Sequence, residues 1–83
     1  MSAMAKPASP VRKRSVILNG HKTSVSLESE FWDGLKEIAD LHDVPLCELA
    51  SKIDQERGNG NLSSALRLYV LAHYMARRDL MKP

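Results

Sequence analysis

Between His21 and Phe31 the chain reads His-Lys-Thr-Ser-Val-Ser-Leu-Glu-Ser-Glu-Phe, and its period changes in mid-run. From Lys22 to Leu27 the residues alternate. Lys22, Ser24 and Ser26 fall on one face, and Thr23, Val25 and Leu27 on the other, which is the pattern of a strand with one buried side. From Ser29 the pattern turns helical. Phe31, Leu35, Ile38 and Leu41 share a stripe, Ser29 is placed to cap the helix, and Glu30 and Asp33 suit the positive end of its dipole. A short strand running straight into a helix leaves its edge amides and carbonyls without partners in its own segment. In a chain of 83 residues, a second copy of the same strand is a ready partner.

One domain is expected at this length, and oligomerisation would enlarge a core that is otherwise marginal. Hydrophobic residues make up 43% of the chain, enough for a folded domain. No apolar run is long enough to span a bilayer, and the start has no signal-peptide core. The single cysteine, Cys47, excludes an internal disulfide framework and a zinc cage, so a reducing cytoplasm is the expected location. Cys47 itself is expected to be a small packing residue.

Charge is unevenly spread. The first 27 residues carry five bases and no acid, while the rest carries seven bases and ten acids, giving a formal net charge of +2. A basic leader beside a mildly acidic body suits a polyanion partner, or is simply a solvated tail.

The expected division is a disordered basic arm over residues 1–13, a folded domain over 14–79 and a tail over 80–83. Within the domain, Ser15-Val16-Ile17-Leu18 is β-prone and Asn19-Gly20 is a strong hairpin signal. A turn there sets Leu18 opposite His21 and Val16 opposite Thr23, which places Val16 and Leu18 on the face of Val25 and Leu27. A first helix is expected from Ser29 to about His42, with Gly34 inside it for close packing. Asp43-Val44-Pro45 ends it, and Pro45 opens a second helix with the stripe Leu46, Leu49, Ala50 and Ile53. Gly58 to Asn61 is a loop, with Asn61 capping a third helix from Leu62 to about Arg78. That helix is apolar almost all round, which predicts burial on several sides.

Strand, helix, tight turn and helix is the order of the ribbon-helix-helix family, and this sequence resembles it. The carrying residues are Thr23-Ser-Val-Ser-Leu-Glu-Ser-Glu-Phe, Leu35-Lys-Glu-Ile-Ala and Val44-Pro-Leu-Cys-Glu-Leu. The segment Gly60-Asn-Leu-Ser-Ser-Ala-Leu-Arg67 is similar to that of a bacterial subgroup. The fold class so implied is mainly α with a short β-ribbon, a ribbon-helix-helix with a third C-terminal helix, in an intertwined homodimer. The dimer core would include Val25, Leu27, Phe31, Leu35, Ile38, Leu49, Leu66 and Tyr69.

The resemblance also implies double-stranded DNA as partner, read by a two-stranded ribbon in the major groove, and a role in transcription regulation. Base contacts would come from Lys22, Ser24 and Ser26. Backbone contacts would come from Arg12, Lys13 and Arg14, and from a helix start that clamps phosphate. Leu46 and Cys47 at the second helix, or Ser63 and Ser64 at the third, are the two candidates for that clamp. The Asn19-Gly20 hairpin raises a geometric objection. Two hairpins joined in a dimer give four strands, spanning about 14 Å, wider than the groove of about 12 Å. The alternative is a dimeric protein-interaction module, including an antitoxin-like one, with a protein partner on the third helix.

Other chemistry is not expected. His21, His42 and His73 have no ligand spacing, so no metal and no cofactor is predicted. No nucleophile–base arrangement, carboxylate pair or phosphate-binding glycine loop is present, so the chain is not expected to be an enzyme. Phe31 and Trp32 point to different faces, and Trp32 is expected in a core or dimer contact.

Overall fold

The computed structural model describes residues 10–58 and 60–80. Two strands, β1 (Val11–Leu18) and β2 (His21–Glu28), are followed by three helices, α1 (Ser29–Leu41), α2 (Leu46–Glu56) and α3 (Leu62–Leu80).

The strands form an antiparallel hairpin with Leu18 opposite His21, Val16 opposite Thr23 and Val11 opposite Glu28. Asn19 (φ 53°) and Gly20 (φ 84°) both take positive φ, the type I′ geometry whose twist matches that of the strands. The turn is tied down from outside. The Asn19 amide donates to Ser51 Oγ (3.1 Å), and Gln55 Nε2 donates to Asn19 Oδ1 (2.9 Å), both from α2. The ladder starts at Val11, so residues 11–13 are strand and not part of a disordered arm. They are ordered because Val11, Arg12 and Lys13 lie opposite Glu28, Leu27 and Ser26. Leu80, expected to open the tail, is instead the last residue of α3, and residues 1–9 of the expected arm and 81–83 of the tail lie outside the described residues.

Alternation sorts the hairpin into two faces. Val16, Leu18, Val25 and Leu27 are buried, while Lys13, Ser15, Ile17, Lys22, Ser24 and Ser26 are exposed. The buried face rests on the helices: α2 lies against β1, α3 against β2, and the three helices pack on one another. Leu27, Leu35, Ile38 and Leu66 form the fully enclosed centre.

Helix boundaries follow local chemistry, with three corrections. Ser29 is the first helical residue of α1, not its cap. Glu28 occupies the cap position without a side-chain capping bond, because its carboxylate is engaged elsewhere. Of the two acids expected at the dipole, Glu30 lies in the first turn, and Asp33 pairs with Lys36 (3.7 Å) on the exposed surface. Pro45 is the cap residue of α2, not its first helical residue. Its extended backbone (ψ 151°) presents its carbonyl to the amides of Glu48 (3.1 Å) and Leu49 (3.2 Å).

The end of α1 is a Schellman turn. Asp43 sits in the left-handed region (φ 59°), its amide donates to Asp40 (3.0 Å), and that of Val44 donates to Ala39 (3.0 Å). Asn61 caps α3 as expected, its Oδ1 accepting from the Ser64 amide (3.1 Å).

α3 is less enclosed than its composition predicts. Leu66 and Val70 are buried, but Leu68 is 63% exposed, Leu71 49% and Met75 44%. Its inner face meets α1, α2 and β2, while Leu68, Leu71 and Met75 on the outer one are exposed among the described residues.

Candidate nucleic-acid interface

The outer face of the hairpin gathers the predicted base-contacting residues. Lys22, Ser24 and Ser26 are all exposed and lie on the same side of β2. The opposing strand adds residues that a reading of β2 alone missed. Ile17 stands opposite Lys22, Ser15 opposite Ser24 and Lys13 opposite Ser26. The signal for them was the Asn-Gly turn, which fixes the register. Ile17 is 53% exposed, a large apolar side chain within an otherwise polar face.

The three arginines and lysines of β1 part company. Arg12 and Lys13 are exposed. Arg14 faces inward beside α1: a terminal nitrogen donates to Ser29 Oγ (3.1 Å) and, more weakly, to the Leu27 carbonyl (3.4 Å). Its guanidinium also lies 5.6 Å from the centroid of the Trp32 ring. Arg14 therefore fastens the hairpin to α1, and Trp32 is its aromatic seat.

The two candidate phosphate clamps are in different states. At α3, the Ser63 hydroxyl accepts a hydrogen bond from the Ser26 backbone amide (3.2 Å), and Asn61 caps the Ser64 amide. At α2, the Leu46 and Cys47 amides precede the first helical bonds, which Glu48 and Leu49 donate to Pro45. Leu46 and Cys47 line an open hollow of about 340 Å³ together with Ser15, Val16, Ile17, Lys22 and Trp32. Lys22 and the start of α2 thus line the same hollow. Cys47 is an exposed free thiol on this hollow and not a packing residue.

Of the residues expected at a dimer core, Val25, Leu27, Leu35, Ile38, Leu49 and Leu66 are buried within the single chain, and Phe31 and Tyr69 are partly buried around them. Two polar contacts brace this core. Glu28 and Arg67 form an ion pair (2.9 Å) between the end of β2 and α3. The Arg67 hydrogen bond holds the Glu28 carboxyl below its ordinary pKa, with a smaller contribution from the backbone. The Tyr74 hydroxyl donates to Glu37 and is held above its ordinary pKa by that bond.

Among the described residues no helix is long and apolar enough to cross a membrane, and no group of His, Cys, Asp and Glu is placed to hold a metal ion. No curated protein and no solved structure shows significant similarity to the chain. Residues 11–74, from the first residue of β1 into α3, match the ribbon-helix-helix domain. The match takes in the hairpin and the start of every helix, so this chain belongs to the ribbon-helix-helix family.

Proposed function

We propose that this protein binds double-stranded DNA sequence-specifically, as a homodimer, and regulates transcription in a bacterial cytoplasm. The family is one of DNA-binding, regulator-type domains. The observation that carries the proposal is the outer hairpin face, where Lys22, Ser24 and Ser26 are exposed on a rigid, fully registered strand pair. Lys22 can donate to guanine O6 and N7, and the serines can donate or accept. Arg12 and Lys13 supply phosphate contacts, and the α2 amides of Leu46 and Cys47 are the favoured phosphate clamp, since the α3 start is engaged with Ser26 and Asn61. The protein acts by binding and has no catalytic role.

The exposed stripe Leu68, Leu71 and Met75 on α3 supports the dimer, because a second copy would cover it. The same stripe favours the second reading, a protein-interaction module on this scaffold.

The test is binding to random-sequence and genomic DNA fragments across a salt series, with solution mass measured in parallel. Expected are a dimer, tight binding to a subset of fragments and an affinity that falls steeply with salt. Weak binding that salt erases for every fragment would overturn the sequence-specific reading and leave the protein-partner reading.

A further inference from the structure

The geometry points to a second ligand for this region: a small amphipathic monocarboxylate that seats in the hollow where β1 meets the start of α2 and, while bound, keeps DNA off Lys22. The regulatory half of this inference rests on the DNA-binding reading above, while the ligand site stands on the hollow alone.

The hollow has the size and the lining of a ligand site. Its volume of about 340 Å³ falls within the range of about 300–1,000 Å³ that small-molecule pockets occupy. Val16, Ile17, Trp32 and Leu46 form its apolar wall, and they come from β1, α1 and α2, so the shape exists only in the folded chain. The Arg14 guanidinium, 5.6 Å from the centroid of the Trp32 ring, keeps the aromatic part of that wall in place. Ile17 is apolar yet 53% exposed, and a ligand body laid against it withdraws that surface from water.

Charge selects the head of the ligand. Lys22 lines the hollow, and no ion pair among the described residues engages it. No acid is among the described residues that line it. Leu46 and Cys47 add the first amides of α2, for which Pro45 supplies no side-chain cap. One cation and uncapped amides beside an apolar wall suit a singly charged anion on an apolar body.

Lys22 cannot serve both ligands. A carboxylate paired with its ammonium removes that donor from guanine, and a body resting on Ile17 stands on the outer hairpin face. Occupancy therefore competes with DNA, and the apparent DNA affinity falls in proportion once the ligand exceeds its own dissociation constant.

The test uses full-length protein and octanoate, with octanol and acetate as controls for the head and the body. Trp32 is the only tryptophan and Cys47 the only cysteine, so intrinsic fluorescence and thiol alkylation both report on the hollow. Octanoate should shift Trp32 emission saturably and slow alkylation of Cys47 by iodoacetamide several-fold, with circular dichroism unchanged. Octanol and acetate should each bind at least about ten-fold more weakly. Lys22→Ala should weaken octanoate binding about ten-fold and Ile17→Ala several-fold, both at exposed positions that spare the fold. Octanoate should also lower the affinity of wild type for the duplex it selects from a random pool. No saturable change in emission or alkylation at millimolar octanoate overturns the site. Equal binding of octanol overturns the choice of an anion. Octanoate bound with DNA affinity unchanged overturns the competition. If wild type selects no duplex, the DNA-binding reading fails and takes the regulatory half with it, while the fluorescence and alkylation titrations still decide the ligand site.

Discussion

Gly34 on α1 and Val70 on α3 set how closely the two helices approach: a Cβ at Gly34 would lie 2.9 Å from Val70 Cγ1. Within a helix, glycine normally costs about 1 kcal/mol relative to alanine. Here the absence of a side chain lets α1 press against α3, and Tyr74 is the next neighbour at 3.6 Å. Val70 is β-branched and buried, so its methyl cannot swing away at low cost. Overpacking costs of about 1–3 kcal/mol exceed the propensity gain. Gly34→Ala should therefore destabilise the fold by about 1–2 kcal/mol in urea melts. In the double variant with Val70→Ala, the loss should be smaller than the sum of the two single losses. A Gly34→Ala protein more stable than wild type would show that the helices are not in close contact.

Asp43 holds the left-handed position that ends α1, where glycine is the favoured residue. Its side chain makes that backbone strained, and removing the Cβ relieves it. Asp43→Gly should raise stability by about 0.5–1 kcal/mol, offset in part by the greater freedom of glycine in the unfolded chain. Thermal melts of the pair measure it, and a clear fall in melting temperature would contradict the turn geometry.

The Glu28–Arg67 pair predicts an acid-sensitive term in stability. Because the folded state lowers the Glu28 pKa, the contribution is fully present above the unfolded carboxyl pKa. It fades as the pH falls through the lower folded value. Glu28→Gln should thus be less stable than wild type at neutral pH, and the gap should close on acidification. A gap that stays constant from neutral to strongly acidic pH would mean that charge is not what Arg67 recognises.

Arg12 and Arg14 should behave differently although they are two residues apart. Arg12 is exposed, and Arg12→Ala should reduce the salt dependence of DNA affinity by about one unit of slope with unchanged stability. Arg14 is bound to Ser29 and seated by Trp32, so Arg14→Ala should lower stability by about 1 kcal/mol. Parallel salt titrations and melts of the two variants decide the matter, and interchanged results would overturn both assignments.

Much of this fold was legible locally. The alternation from Lys22 to Leu27 marked the buried and exposed faces of β2, and Asn19-Gly20 fixed the register of the hairpin. The Asn61 cap, the break after α1 and the stripe Leu46, Leu49, Ala50 and Ile53 placed the helices. These features lie within a few residues of one another, so side-chain period and backbone preference are enough to specify them.

The candidate site was only half legible, because its other half depends on contacts between distant segments. Ser26 meets Ser63 across 37 positions and Glu28 meets Arg67 across 39, and no local period encodes either pairing. In the sequence Arg14 is one more cation of a basic leader; only the fold sets Ser29 and Trp32 beside it. The composition of α3 predicts burial on several sides, yet Leu68, Leu71 and Met75 stay exposed because packing among the described residues covers its other face. Sequence alone determined the strand faces, the turn and, to within a residue or two, the helix ends, because those are set by short-range sterics and hydrogen bonding. Only the tertiary structure decided which helix start is engaged, which stays open and which cations remain exposed, because those follow from how the elements pack.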